Sequence, residues 1–245
     1  MTPPRHVLAA FGADGPPVRL AGGTGRSWRV GSLVIKPVDW PLAEIAWQAE
    51  VLSTIAQDGF RVARPRPDVV DGWMGADYVA GEHRPGRWRE IIAVGERFHR
   101  ALAGIPRPDA LIDARTNPWA VGDRVAWGEA PYPELADVLS ALEPVDAPSQ
   151  LIHGDLTGNV LFHDELPPAV IDFAPYWRPP EFASAIVVAD AITWEGALAE
   201  LANAVPRQEL IRALVYRGVT TRIMRRPGSI PELDLARSIL AGGFP

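Results

Sequence analysis

Leu151-Ile152-His153-Gly154-Asp155-Leu156-Thr157-Gly158-Asn159-Val160-Leu161-Phe162, with Ala169-Val170-Ile171-Asp172-Phe173 shortly after it, decides how this 245-residue chain is read. Leu151-Ile152 and Ala169-Val170-Ile171 are short apolar runs that read as strands flanking a loop, with polar residues delivered at their ends. Asp155, Asn159 and Asp172 offer a carboxylate, an amide oxygen and a second carboxylate, with 13 positions from Asn159 to Asp172. Such an oxygen-only donor set suits Mg²⁺, a hard ion that keeps waters and binds through one or two carboxylates plus phosphate. Taken singly, Asp155 and Asn159 read as loop caps and Asp172 as a turn residue. Loop chemistry does not require all three, so the combined pattern reads as functional.

Upstream, Pro17 to Leu20, Ser27 to Val30 and Leu33 to Lys36 read as three strands of a meander. They are joined by Gly22-Gly23-Thr24-Gly25 and by a Gly31-Ser32 turn. The third strand ends on Lys36. Of the 24 basic residues 23 are arginine, and Lys36 is the one lysine. It therefore stands where a compact point charge serves and a planar fork does not. A lysine at a strand end is also what an ordinary surface position offers. Because Leu33-Val34-Ile35 precede it, no G-x-x-x-x-G-K-[ST] phosphate loop can be drawn.

Pro41 opens a helix expected over about 41–57, and strands follow at 68–70 and 73–79 across Asp71-Gly72. Beyond Ala80-Gly81 the chain reads as mostly helical, with helices expected near 87–103, 118–128, 134–142, 181–203, 207–225 and 232–240. A β-rich segment with one helix followed by an α-rich one is the α+β pattern, divided here into residues 1–80 and 81–245. A net charge of −6 argues against a nucleic-acid or anionic-membrane partner. The absence of cysteine removes disulfides, thiolate metal sites and cysteine nucleophiles. No secretory or membrane-spanning stretch is found, since Ala183 to Val205 is interrupted by Asp190, Glu195 and Glu200, and a cytoplasmic protein is expected.

The H-G-D-L…N-V-L-F segment with V-I-D-F downstream resembles aminoglycoside phosphotransferases and related small-molecule kinases, and Asp172 to Pro180 looks like an actinobacterial branch of that family. The resemblance runs from about Gly22 to Asp190. It implies a bilobal protein-kinase-like fold, β-rich with one helix and then mainly α-helical. It also implies transfer of the γ-phosphoryl of ATP or GTP to a hydroxyl of a small molecule. Asp155 would be the catalytic base, Asn159 and Asp172 the Mg²⁺ ligands, and His153 a support of the loop. Lys36 would pair with the nucleotide phosphates beneath a turn formed by Gly22, Gly23 and Gly25, and the adenine would meet the backbone of Asp77, Tyr78 and Val79.

Two departures stand out. Kinase catalytic loops place five steps between the aspartate and the asparagine. Asp155 to Asn159 is four, a deficit that Gly158 is placed to absorb. The glutamate that orients the lysine in kinases aligns with Gln48; Glu44 lies one turn earlier on the same face and is preferred, and Glu50 projects elsewhere. These departures keep open a catalytically silent nucleotide-binding or scaffolding member. Arg178, fenced by Pro175, Pro179 and Pro180, reads as a phosphate- or substrate-binding arginine or as a guanidinium stacked on Tyr176 or Trp177. Trp119 and Trp127 flank Asp123, Arg124 and Glu129, which read either as packing or as the wall of a substrate pocket.

Overall fold

The structure, a computed structural model, describes residues 1–21, 25–224 and 230–243. In chain order its elements are α1 (Arg5–Ala10), β1 (Val18–Arg19), β2 (Trp28–Val30), β3 (Leu33–Pro37), α2 (Leu42–Thr54), β4 (Arg61–Val62), β5 (Pro65–Val70) and β6 (Trp73–Asp77). There follow α3 (Trp88–Leu102), α4 (Asp109–Asp113), α5 (Pro118–Ala126), α6 (Ala136–Leu139), β7 (Gln150–His153), β8 (Val160–Leu161) and β9 (Ala169–Val170). β10 (Pro175–Arg178), α7 (Pro180–Trp194), α8 (Arg207–Ile223) and α9 (Pro231–Leu240) complete the set. The chain forms two compact units, one of Met1–His83 with Val160–Phe173 and one of Arg84–Asn159 with Ala174–Pro245.

The first unit carries a five-stranded antiparallel sheet in the order β1-β2-β3-β6-β5. Strand alternation divides β3 between two environments. Leu33 and Ile35 join Val7, Val30 and Trp73 in a buried cluster under α1, whereas Val34 and Lys36 take the opposite face. α2 packs on β5 through a face that buries Glu44, Ile45, Gln48, Val51 and Leu52. A second sheet sets β9 between β4, to which it runs parallel, and β8, to which it runs antiparallel. Residues 160–173 thus return to the unit built mainly by residues 1–83.

In the second unit α8 is a central helix packed against α5, α7 and α9, and α3 packs against α7 and β7. Glycines stand at close approaches around these helices. A Cβ on Gly122 would lie 2.6 Å from the Tyr216 carbonyl oxygen, and one on Gly95 would lie 2.5 Å from Leu156. The second places α3 directly against the 154–159 loop. The helix expected over 181–203 ends at Trp194, because Gly196 adopts φ +73° and the Ala197 amide turns back to the Ala191 carbonyl; a 3₁₀ turn over Ala199–Ala204 follows. α1, α4, β4, β8 and β10 are short elements that the sequence pattern does not announce.

Candidate active site

In the first unit Lys36 and Asp172, 136 residues apart, form an ion pair with Nζ 2.8 Å from Oδ1, and Asp39 accepts from the same ammonium at 3.1 Å. Burial acts to lower the lysine's pKa, but Asp172 and Asp39 outweigh it and hold the ammonium above its ordinary value. Asp172 follows β9 with φ +47°. Among the described residues only one other non-glycine, Asp71 in the β5–β6 turn, has a positive φ. A hairpin turn accounts for Asp71. Asp172 sits in no such turn, and backbone strain of this kind gathers where a side chain must be aimed.

The other residues expected around Lys36 fall as follows. Glu44 is buried, and its Oε1 accepts a hydrogen bond from Gln48 at 3.3 Å, while Glu50 is exposed. Gly25 has φ +65°, and its carbonyl accepts from the Arg19 guanidinium at 2.8 Å; Gly22 and Gly23 lie outside the described residues. Asp77 pairs with Arg66 at 2.6 Å and its amide donates to the Arg64 carbonyl at 2.9 Å; the Tyr78 amide donates to the Ser32 carbonyl at 2.8 Å, and the Arg29 guanidinium lies 3.9 Å from the Tyr78 ring centroid. Val79 makes no backbone hydrogen bond to the described residues.

The second unit builds the Asp155 loop on β7. His153 is fully buried, and its Nδ1 accepts from the Asp155 amide at 3.2 Å. His99 of α3 accepts the His153 amide at 3.0 Å through Nε2, which requires a neutral ring. Burial first, and His153 second, push His99 down to about 3. Gly154 has no room for a side chain, since a Cβ there would meet the Tyr176 ring of β10 at 2.4 Å. The short loop closes as a turn in which the Asn159 amide donates to the Leu156 carbonyl at 2.9 Å, with Gly158 at φ +78°. That is the third-position glycine of a type II turn. The Asn159 side-chain nitrogen then donates to the Asp155 carbonyl at 2.7 Å and to its Oδ2 at 3.2 Å.

One contact in this loop has no counterpart in the sequence reading. Arg217 of α8 donates to Asp155 Oδ1 at 2.7 Å and grips both oxygens of Asp190, at 2.9 and 2.7 Å. Burial raises the Asp190 pKa, and Arg217 opposes it. No sequence signal separates Arg217 from its neighbours on α8. Its role comes from helix packing alone.

Arg178 forks onto Asp123 at 3.0 and 2.7 Å and onto Glu129 at 2.5 and 2.9 Å, and lies 5.0 Å from the Trp127 ring centroid rather than on Tyr176 or Trp177. Burial drives Asp123 above the ordinary carboxylate range against the pull of Arg178. These three residues line a cavity of about 300 Å³ within the second unit, with Arg107, Asp113 and Arg124 also on its wall.

The donors suit Mg²⁺. In the second unit the Asn159 amide donates through its nitrogen, so its oxygen stays an acceptor, and in the first unit Lys36 engages only Oδ1 of Asp172. Among the described residues no three His, Cys, Asp or Glu side chains cluster to hold a metal by themselves.

The choline kinase LicA from Streptococcus pneumoniae is similar to this chain in structure, at 10% identity and a TM-score of 0.60, covering 97% of each chain. A thermostable mutant of aminoglycoside phosphotransferase APH(4)-Ia gives 13% and 0.59 over 96% of each chain. A choline/ethanolamine kinase family protein from Mesorhizobium loti gives 19% and 0.57, covering 97% of this chain and 92% of that one. These likenesses establish the protein-kinase-like α+β fold. No curated protein sequence matches. Among the described residues no helix is long and apolar enough to cross a membrane. The family model for APH, the phosphotransferase enzyme family, matches residues 18–176, a span that holds Lys36, the Asp155 loop and Asp172, and the chain belongs to that family.

Proposed function

We propose that the protein transfers the γ-phosphoryl group of ATP or GTP to a hydroxyl of a small molecule. The observation that carries this reading is the Lys36–Asp172 pair. The chain's one lysine meets a carboxylate held at φ +47°, and the ammonium stays charged despite its burial. A lysine so held is a point charge ready to exchange a carboxylate for phosphate oxygens.

In this reading Asp155 Oδ2 takes the acceptor's hydroxyl proton while the acceptor oxygen bonds to the γ-phosphorus. The bond from that phosphorus to the bridging oxygen breaks, and a nucleoside diphosphate leaves. Asn159 and Asp172 would hold Mg²⁺, which supplies counter-charge to the phosphate oxygens. Lys36 binds the nucleotide phosphates, and Gly25 belongs to the proposed turn over them. Glu44 of α2 is the proposed carboxylate that orients Lys36, and Asp77, Tyr78 and Val79 are the proposed backbone contacts of the base. The cavity beside Arg178, Asp123 and Glu129 is the proposed seat of acceptor specificity. A polar wall of about 300 Å³ matches a small polar acceptor.

The test is the melting temperature with Mg²⁺-ATP or Mg²⁺-GTP, for the wild type and for Asp172→Asn. Asparagine tolerates the left-handed backbone that alanine would strain. Nucleotide at a hundred times its Kd should raise Tm by about 5–10 °C in the wild type, and the rise should be lost in the variant. No rise with either nucleotide at millimolar concentration sinks the proposal. Binding without turnover favours a catalytically silent member.

A further inference from the structure

We propose that Arg217 is a positioning residue that fixes the carboxylate plane of Asp155 for proton acceptance. This rests on the phosphoryl-transfer reading above. Asp155 has both oxygens engaged, Oδ1 by Arg217 at 2.7 Å and Oδ2 by Asn159 at 3.2 Å. Its side chain is nevertheless 44% exposed, so without these bonds it would sample several rotamers. Arg217 is 13% exposed and cannot drift, because Asp190, itself 10% exposed, accepts from two of its nitrogens. The guanidinium plane is thereby set by one carboxylate and sets the orientation of another. A lysine in its place would supply charge but could not be gripped at two nitrogens.

The device also compensates for the short loop. With one residue fewer between Asp155 and Asn159, the turn at Gly158 fixes the backbone of Asn159. The Asp155 carboxylate needs a tether from outside the loop, and α8 provides it. α8 is itself pinned at this height by the backbone approach of α5 at Gly122.

Arg217→Met alone would leave Asp190 buried and unpaired and risks unfolding. The test variant is therefore Arg217→Met with Asp190→Leu, which removes the buried pair together, beside Arg217→Lys. Nucleoside diphosphate release from Mg²⁺-ATP and Mg²⁺-GTP is measured with water as acceptor, along with nucleotide Kd and Tm. The folded double variant should bind nucleotide within about threefold of the wild type and lose kcat about a hundredfold, with part of kcat recovered in Arg217→Lys. A folded double variant with wild-type kcat, or one whose nucleotide affinity falls as far as its kcat, overturns the proposal. Should the double variant not fold, Asp190→Asn decides: kcat falling about tenfold at unchanged KM is expected, and an unchanged kcat overturns it. A wild type that binds nucleotide but releases no diphosphate defeats the phosphoryl-transfer reading itself, an outcome distinct from failure in the variants alone.

Discussion

The two units each hold a cation against a pair of carboxylates, and they do so in opposite ways. In the first unit Lys36 meets Asp172 and Asp39, whose side chains are 53% and 42% exposed. In the second, Arg217 meets Asp190, which is 10% exposed, through two nitrogens and then reaches Asp155. The lysine is a single point of charge between two solvated partners, so it can release one and accept another anion. The arginine is a fork locked in a buried frame, so it transmits geometry rather than exchanging partners. In the proposed reading, a chain with 23 arginines and one lysine keeps the lysine for the position where exchange is needed.

The largest expected effect follows from the proposed base. Asp155→Asn should lower turnover about 10²- to 10⁴-fold while nucleotide affinity stays near that of the wild type, as measured by steady-state kinetics beside calorimetric binding. Lys36→Met should lose nucleotide affinity instead. If the two variants show the same split between kcat and Kd, the contrast between exchange and tether fails.

Stability should divide the pairs in the other direction. Arg217→Met leaves Asp190 uncompensated and should cost about 3–5 kcal/mol. Lys36→Met leaves two solvated carboxylates and should cost about 1 kcal/mol or less. Urea melts of both variants test this, and equal losses would erase the difference between the buried and the exposed frame.

The pH dependence should also separate the units. His99 is depressed to about 3 in the folded second unit from an ordinary 6.5. Between those values the unfolded chain binds the extra proton, so stability falls as pH drops below 6.5, by about 1.4 kcal/mol per unit. Lys36 is raised above 10.5, so its contribution is complete below that value and is lost as pH rises through the folded pKa. Asparagine or glutamine at position 99 should flatten the acid limb of a Tm-against-pH curve and leave the alkaline limb in place.

The smallest expected effect sharpens the comparison most. Lys36→Arg keeps the charge beside exposed partners and should change stability by less than about 0.5 kcal/mol. Nucleotide affinity should nonetheless fall, because a planar fork replaces a compact ammonium. Unchanged affinity would mean that the choice of lysine is incidental.

The sequence pattern reaches some of these features and stops short of others for physical reasons. The fold class and the family are legible because β3, β7, β9 and the loop between the last two follow local rules: apolar runs, turn glycines and polar residues at strand ends. Gly158 was readable as the loop residue whose backbone is free to take positive φ, and it closes the turn at +78°. Lys36 was readable through composition. Its pairing with Asp172 was not, because 136 residues separate them and no local rule spans that distance. Arg217 stayed hidden for the same reason. Which of several arginines on α8 meets the loop is set by the packing of α5 and α8, not by any motif. Arg178 was singled out by its prolines, but its engagement with Asp123 and Glu129 depends on α5 lying beside β10.

The most direct test of the central claim is nucleotide consumption by the full chain, measured as diphosphate release from Mg²⁺-ATP and Mg²⁺-GTP for the wild type, Asp172→Asn and Asp155→Asn. Release in the wild type is predicted, with the first variant losing it together with nucleotide binding and the second losing it while binding persists. Wild-type release that survives both substitutions would contradict the assignment of Asp155 and Asp172 to the chemistry.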